Sequence, residues 1–436
     1  MPAADFFSRP IPPLGELTVV ALAGETYTRK VLAVSLQGMI NQSRVRLYLV
    51  DGDIGGWRWW EAQGEAQSQR YWLERYNAVF GVALGPEVLL DQALDSFATE
   101  AAGYVVWNEA EPWTLNAATT EAGLWGALIA TEAEAATLDA LGLPRLDDLA
   151  GRWATAEASI RDTFATLYAQ TSPLAVAIVA PEEYRLRDLL IQNRIFTIFG
   201  RPHGDYSTWL AVDEVLVATP GNQPVLGYLA LTGGEEYSAV EAISATGKFL
   251  IPSDSSSNLS VHAAVRPALP AARSLADAGC SPGRLRVAIA ISDGDNLAVP
   301  VNRYIGFGYW LAPERGQFPL GWSLTPALAT LAPGIAATYL ANRTDRDELV
   351  GMIGIGYANQ TALPDPTYFL AATYDALAAS RMSSLWLIDL ALVVRELNPE
   401  GHDRVWAAVS AAYAQGRLDG VVHGYNYFGS LPPEPA

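Results

Sequence analysis

Seven short apolar segments recur through the second half of the chain, and polar or aromatic residues follow almost every one. Each has the length of a β-strand, and the intervals between them fit one strand, one helix and two loops. The segments are residues 225–231, 248–252, 286–291, 319–324, 349–355, 385–388 and 420–422. A ring of such β/α units carries the carboxyl ends of its strands on one face. We therefore expect residues 206–436 to form a (β/α)7-type, TIM-like barrel with its chemistry at that face.

The first half of the chain predicts a separate α/β region over residues 1–205. Residues 16–22 and 45–50 are strand candidates, and apolar residues near the 3.6-residue period predict a helix over 26–41. A long helix is expected over 146–169. Strands that alternate with helices favour a mostly parallel sheet. Turn-forming residues at 202–205 and 219–224 place the domain boundary between these two segments, with the first region ending at residue 205.

Composition limits the classes of partner. The net charge of −19 over 436 residues argues against nucleic acid or an anionic membrane surface as a partner. The longest apolar runs are too short to span a membrane. Residues 1–24 lack the features of a signal peptide. We therefore expect a soluble protein, cytoplasmic as the sequence is written, or extracytoplasmic if a leader has been removed.

The strongest local pattern is Ser292-Asp-Gly-Asp-Asn296, which follows an apolar strand. Three interpretations compete. Asp, Gly and Asn fit a tight turn with no catalytic duty. The oxygens of Asp293, Asp295 and Asn296 would also suit Ca²⁺ or Mg²⁺, which is the one metal site that the sequence suggests. Alternatively, Asp293 or Asp295 is a catalytic or sugar-binding carboxylate.

Other strand ends supply further candidates for a two-carboxylate site. Asp254 and Asp389 each follow a predicted strand, although Asp254 would also serve as the N-cap of the next helix. Glycoside cleavage needs one protonated and one ionised carboxyl group. One of Asp293 and Asp295 would then be the acid or nucleophile, with Asp254 or Asp389 as its partner. Glu235 and Glu236 are reserves, for which a solvated helix start is the simpler interpretation.

Aromatic and amide side chains complete the predicted sugar site. The chain holds thirteen Trp and nineteen Tyr residues, most of which we expect in the core. Amide groups are expected to bind sugar hydroxyls, and His423 either binds the ligand or only packs. The candidate ring platforms are Tyr357, Trp322, Tyr425 and Tyr427, and the candidate amides are Asn296 and Asn359.

Several common chemistries have no support in the sequence. It contains no phosphate-binding loop, no nucleophile elbow, no metal-binding H-E-x-x-H helix and no dinucleotide fingerprint. The four histidines are too scattered to suggest a metal cluster, and the single Cys280 excludes an internal disulfide. No organic cofactor is therefore predicted.

Several blocks of residues resemble the GxGYxYP putative glycoside hydrolase family. Gly354-Ile-Gly-Tyr357 matches the first four positions of the name-giving motif, whereas Asn359 and Gln360 stand where the family has Tyr and Pro. Residues 251–260, 292–296 and 321–326 are also similar, as are residues 35–41 and 46–50 in the first region. The resemblance implies an N-terminal α/β region, a C-terminal barrel-like domain and a role in sugar processing.

The working hypothesis is therefore a glycoside hydrolase that acts on an oligo- or polysaccharide. Two hypotheses from other classes stay open. One is a carbohydrate-binding protein without catalysis, and the other is a metal-dependent hydrolase or lyase centred on Asp293, Asp295 and Asn296.

Overall fold

Strands and helices alternate along the chain in a computed structural model, which describes residue 7 and residues 9–52, 59–229, 235–271 and 288–424. The strands in these residues are β1 (Leu14–Ala21), β2 (Val45–Val50), β3 (Leu84–Leu89), β4 (Tyr104–Val106), β5 (Leu128–Ala130), β6 (Arg145–Asp148), β7 (Val176–Ile178), β8 (Phe196–Ile198), β9 (Pro224–Gly227), β10 (Phe249–Pro252), β11 (Ala290–Ile291), β12 (Leu320–Leu324), β13 (Asp347–Met352), β14 (Ser384–Leu387) and β15 (Gly420–His423).

Helices lie between most of these strands, and several are only one turn long. They are α1 (Tyr27–Ile40), α2 (Trp59–Phe80), α3 (Leu90–Phe97), α4 (Thr114–Trp125), α5 (Glu132–Ala140), α6 (Ala156–Leu167), α7 (Arg187–Asn193), α8 (Tyr206–Ala218), α9 (Glu235–Ala245), α10 (Leu259–His262), α11 (Tyr304–Gly306), α12 (Leu328–Leu331), α13 (Pro333–Asn342), α14 (Pro366–Ala379), α15 (Leu390–Val393) and α16 (Pro399–Ala414). A five-residue π-helix, Val299–Arg303, directly precedes α11.

The strands form four parallel sheets in the described part of the chain. Their orders are β2-β1-β3, β5-β4-β6, β10-β9-β7-β8 and β11-β12-β13-β14-β15. The last of these is a curled, half-barrel sheet. Strands such as β7 and β8 are buried along their whole length, as parallel strands covered by helices on both faces are. The predicted mostly parallel α/β fold is therefore confirmed.

The closed seven-stranded barrel is not confirmed. Strands β9 and β10, which were predicted to open the barrel, pair with each other, and β9 also pairs with β7 of the preceding region. The boundary predicted near residue 205 thus falls between strands of one sheet. Between this sheet and the half-barrel, the described residues show one isolated antiparallel bridge, Leu250–Tyr357. Alternation of strands and helices predicts parallel units correctly, but does not predict which sheet each strand joins.

In the first region, most of the predicted strands and helices named above agree with the observed ones, and one predicted helix does not. Strands β1 and β2 and helix α1 confirm the predictions over residues 16–22, 45–50 and 26–41. The long helix predicted over 146–169 is wrong at its start, because residues 145–148 form strand β6 beside β4. Gly151 then has a left-handed φ of +69°. Helix α6 begins only after Thr155, whose side chain accepts the Ala158 N–H.

No helix within the described residues is long and apolar enough to cross a membrane.

Candidate active site

The carboxyl ends of several strands meet at one cavity, called here the first cavity. Its volume is about 260 Å³. It receives residues from the ends of β9, β10, β11, β13 and β14, from the first turn of α9 and from the π-helix. The lining residues are Tyr228, Glu236, Pro252, Asp293, Asp295, Asn296, Val299, Arg303, Met352, Ile353, Tyr357 and Ile388. Four predicted site residues, Asp293, Asp295, Asn296 and Tyr357, are therefore brought together here.

Close backbone contacts fix the turn that carries Asp293 and Asp295. Asp293 has a left-handed φ of +70°, which Asp tolerates better than most residues. The Gly294 N–H donates to Ser323 Oγ at 2.9 Å, and the Gly294 carbonyl accepts the Thr325 N–H at 2.7 Å. A Cβ atom at position 294 would lie 1.8 Å from the Ser323 carbonyl oxygen, so only glycine fits. The segment thus forms a tight turn, and Asp293 and Asp295 on this turn line the first cavity.

Asp295 is the most perturbed carboxyl group of the first cavity. Burial is the largest cause that raises its pKa to about 7, and the Asp293 carboxylate is the next. Glu236, in the first turn of α9, contributes a smaller effect in the same direction. An ordinary aspartate titrates near about 3.9. A substantial fraction of Asp295 is therefore protonated at neutral pH, while negative charge lies nearby.

The segment that matches the family motif forms another wall of the first cavity. Gly354 has a φ of +90°, and a Cβ at Gly356 would lie 2.6 Å from Phe249 Cδ2. These two glycines let the chain turn after β13 and approach β10 closely. The Leu250 N–H donates to the Tyr357 carbonyl at 2.8 Å. Tyr357 is consequently held at the cavity with 5% of its surface exposed.

Ile353 adds an unusual backbone conformation to the same wall. Its φ is +59°, which is a genuine outlier for a β-branched residue. The Ile353 N–H donates to the Trp386 carbonyl at 2.7 Å, which helps to hold this conformation. Strained residues cluster at functional sites, because surrounding structure must stabilise them. The outlier therefore supports the choice of this cavity.

A second cavity of about 230 Å³ adjoins the first. Arg303 lines both cavities, and the second receives Asp254 from the loop after β10. Its other residues are Gly64, Glu65, Glu183, Arg185, Ser255, Ala298, Asn302 and Phe307. Burial is the largest cause that raises the pKa of Asp254 to about 6, followed by the Glu183 carboxylate, whereas Arg185 opposes the rise. Asp254 therefore lies beside the first cavity and not in its wall.

Asp389 does not reach either cavity, which corrects its predicted catalytic role. It is 2% exposed and its carboxylate accepts the N–H groups of Thr361 at 2.8 Å and Ala391 at 2.9 Å. It thus caps α15 and holds the loop after β13. The preceding Ile388 lines the first cavity instead. A strand end followed by an acidic residue predicts a helix cap as well as it predicts a catalytic group.

Three other predicted binding residues lie elsewhere. Trp322 is 2% exposed, and its indole N–H donates to Asp347 Oδ1 at 2.9 Å, so its ring offers no face to a ligand. Asn359 is buried and donates to the Tyr237 carbonyl at 3.2 Å. His423 is exposed and packs against the ring of Trp406. Tyr425 and Tyr427 lie outside the described residues.

The predicted cation site has an amide oxygen that is already engaged. Asn296 Oδ1 accepts the Ala298 N–H at 3.0 Å, two residues further along the turn that precedes the π-helix. Within the residues that the structure describes, no group of three or more His, Cys, Asp or Glu side chains is arranged to hold a metal ion.

Sequence reasoning missed part of the first cavity. Arg303, Tyr228 and Ile353 were not singled out, and Glu236 was only a reserve candidate. Arg303 lies in the helical segment that follows Asn296, seven residues further along the chain. No motif in the sequence marks this arginine as a site residue. Tyr228 lies inside the predicted strand 225–231, but β9 already ends at Gly227, so the predicted strand end pointed to later residues.

A third, larger cavity of about 400 Å³ has a different character. Apolar and aromatic residues such as Trp113, Ile160 and Phe199 form much of its wall. Its Asp205 carboxylate is engaged as the N-cap of α8, where it accepts the N–H groups of Ser207 and Thr208. Its other carboxylate, Glu182, pairs with Arg201 at 3.5 Å, so both acidic groups of this cavity are engaged.

Comparison with known families identifies the chain. Family models match residues 101–168 (GxGYxYP_N second domain), 172–264 (GxGYxYP third domain) and 284–419 (GxGYxYP putative glycoside hydrolase C-terminal domain). The chain belongs to the GxGYxYP family. The last of these matches contains Asp293, Asp295 and the Gly354–Tyr357 segment.

One solved structure shares the fold of this GxGYxYP protein. It is a crystal structure of a putative hydrolase from Bacteroides thetaiotaomicron VPI-5482. The TM-score is 0.78 at 20% sequence identity, over 97% of this chain and 78% of that chain. At this identity the similarity concerns the fold. No curated protein matches the sequence.

Proposed function

We propose that this GxGYxYP protein hydrolyses a glycosidic bond of an oligo- or polysaccharide, with Asp295 as the proton donor. The observation that carries the proposal is the half-buried Asp295 carboxyl group in the first cavity, whose pKa is raised to about 7 beside two further carboxylates. A glycosidase needs one protonated carboxyl group and one ionised carboxylate on either side of the scissile bond. The family name points to the same reaction class.

Glu236 is the better partner for Asp295. Asp293 lies two residues from Asp295 on one turn, so the two carboxylates approach a ligand from the same side. Glu236 belongs to α9, a separate element, and lines the same cavity. It can therefore act from another side of the sugar. This assignment replaces Asp254 and Asp389, which line no part of the first cavity.

The reaction then divides between two carboxyl groups. Protonated Asp295 gives its proton to the glycosidic oxygen as the bond from that oxygen to the anomeric carbon breaks. Glu236 attacks the anomeric carbon or accepts a proton from the attacking water, and its separation from Asp295 decides which. In the first case Asp295 later accepts a proton from the water that releases the sugar. Tyr357 and Tyr228 supply ring surfaces, and Arg303 supplies donors for sugar hydroxyls.

Conservative variants test this assignment. Asp295→Asn and Glu236→Gln should each lower kcat at least about 100-fold on aryl glycosides and polysaccharides, because general acid–base catalysis contributes about 10²–10⁴-fold. Asp419→Asn, an exposed carboxylate outside both cavities, is the matched control. Unchanged release of reducing sugar by Asp295→Asn would refute the role of Asp295.

Sugar binding without cleavage is a second candidate function. The positions of Asp254 and Asp389 favour this second function. The sequence predicted one of them as the catalytic partner of Asp295, but neither lines the first cavity. Mass spectrometry of sugars incubated with the wild-type chain separates the two functions. Binding with unchanged sugars would support this second function, whereas shortened products support hydrolysis.

A further inference from the structure

We infer that the second cavity binds another sugar unit of the same substrate, so that the ligand spans both cavities and contains at least two neutral sugars. This inference rests on the proposed function, because it takes the first cavity as the site of the reacting sugar. It adds a substrate class and a second set of binding residues.

The two cavities share part of their walls. The same two segments line both: Pro252 and Val299 face the first cavity, whereas Asp254 and Ala298 face the second. The Leu297 N–H donates to the Pro252 carbonyl at 2.7 Å, which holds these segments side by side. Arg303 belongs to both walls. Each cavity alone is smaller than the about 300–1,000 Å³ usual for small-molecule sites, and only together do they reach that range.

The charged groups of the second cavity are largely engaged with one another. Arg185 pairs with Glu65 at 2.7 Å and with Glu183, and Ser257 Oγ donates to Glu65 at 2.7 Å. With Asp254, three carboxylates stand against two arginines in this wall. An anionic ligand would therefore be repelled, which argues against an acidic sugar in this cavity.

Polar groups that lack a partner suit a ligand rich in hydroxyls. Asn302 is 6% exposed; its Nδ2 donates to the Ser255 carbonyl at 3.0 Å, but its Oδ1 has no partner among the described residues. A buried oxygen without a partner is costly, and a hydroxyl donor would satisfy it. The exposed Arg303 forms no ion pair with any described carboxylate, so its guanidinium is available to hydroxyl oxygens.

An aromatic ring completes the second cavity. Phe307 is partly buried, and a Cβ at Gly64 would lie 3.1 Å from its ring. A Cβ at Gly306 would lie only 2.0 Å from the Gly64 carbonyl oxygen, so α2 and α11 touch through glycines. This close contact fixes the position of the ring. Aromatic faces pack on the apolar face of a sugar, which fits the mixed polar and aromatic wall.

The test measures binding without turnover. The full chain carrying Asp295→Asn is titrated calorimetrically with matched neutral sugars: glucose with cellobiose and maltose, mannose with mannobiose, galactose with galactobiose, and xylose with xylobiose. We expect one disaccharide to bind at least about ten-fold tighter than its monosaccharide. Adding Phe307→Ala should weaken disaccharide binding about three- to ten-fold, since aromatic contacts contribute on this scale. Monosaccharide binding should not change.

Two further variants control for misfolding of Phe307→Ala and for unspecific effects of removing an aromatic ring. Asp254→Asn is nearly isosteric, so this variant should fold even if Phe307→Ala does not. It should also weaken the binding of the disaccharide and leave the binding of the monosaccharide unchanged. Phe318→Ala removes a ring that is 49% exposed outside both cavities and should change nothing.

The outcomes separate this inference from the proposed function. Equal affinity for monosaccharide and disaccharide, unaffected by Phe307→Ala and Asp254→Asn, would overturn the inference while wild-type cleavage of aryl monoglycosides still supported hydrolysis. Disaccharide binding that depends on Phe307, with no cleavage by the wild-type chain, would support the inference as a binding site and refute hydrolysis. Absence of binding by every sugar would overturn both.

Discussion

Neutralising Asp293 should lower the pKa of Asp295. The Asp293 carboxylate is the second-largest cause of the raised value of about 7, after burial. Asp293→Asn removes that charge and keeps the size of the side chain. Burial is unchanged in this variant, so any difference in the titration of Asp295 reports the charge of Asp293 alone.

The size of the effect follows from the spacing of the two residues. Two residues apart, their Cα atoms are separated by at most about 7 Å. Two unit charges at about 7 Å interact with about 0.6 kcal/mol in bulk water and about 2.4 kcal/mol at an effective dielectric of about 20. Since about 1.36 kcal/mol corresponds to a pKa difference of 1, the fall lies between about 0.4 and 1.7. Asp293 is exposed, so we expect the lower half of this range, about 0.5 to 1.

Carbon-13 NMR of chain labelled at the aspartate Cγ measures this directly. The signal missing from Asp295→Asn identifies Asp295, and its midpoint should be about 7 in the wild-type chain. It should move down in Asp293→Asn and stay in place in Asp419→Asn. A general acid must be protonated, so activity should fall as pH rises through the same midpoint.

Two results would refute the reasoning. A wild-type midpoint near the ordinary aspartate value of about 4 would remove the basis for Asp295 as the acid. A raised midpoint that does not move in Asp293→Asn would show that burial acts alone and that the two carboxylates do not interact.

Other predictions concern stability. Burial raises the pKa of Asp188 to about 7, so the folded chain holds a proton that the unfolded chain releases near about pH 4. The stabilisation from this proton is complete below about pH 4 and is lost as pH rises through about 7. Calorimetric Tm values from pH 4 to 8 should therefore vary less in Asp188→Asn than in the wild-type chain. Gln360 is fully buried, and neither polar atom of its side chain has a partner among the described residues. Gln360→Met should therefore raise the free energy of unfolding by about 1 kcal/mol in urea titrations, and a fall would contradict this reasoning. Gly356→Ala should lower the free energy of unfolding by about 1–3 kcal/mol, because the new Cβ would meet Phe249. Gly221→Ala, where a Cβ would lie in open space, should change it by less than about 0.5 kcal/mol. Equal effects of the two variants in urea titrations would contradict the close approach of Gly356 to Phe249.

Local patterns predicted the elements better than their assembly. Helix α1 followed from its apolar period, and its N-terminus from Thr26, whose side chain accepts the Arg29 N–H. Strands β9 and β10 were also found, but the pairing of β9 with β7 was not. Pairing depends on contacts between distant segments, for which strand length and composition carry no information.

The same limit explains the mixed outcome for the candidate site. Asp295 was found because it follows a strand, and parallel strands bring their carboxyl ends to one edge of a sheet. Asp389 follows a strand equally well, yet its carboxylate caps α15. Glu236 was given a lower rank because helix starts favour acidic residues for local reasons. Only the three-dimensional neighbours distinguish a capping carboxylate from one that lines a cavity.

The departure from the family motif has a limited structural consequence. Gly354, Gly356 and Tyr357 build the cavity wall through a left-handed turn and a close approach to β10. Asn359 and Gln360, where the motif has Tyr and Pro, are 1% and 0% exposed and line neither the first nor the second cavity. The two departures from the motif therefore lie behind the wall, whereas Tyr357, which lines the first cavity, is retained. The parts of the motif that this chain retains are those that position Tyr357 beside Asp295.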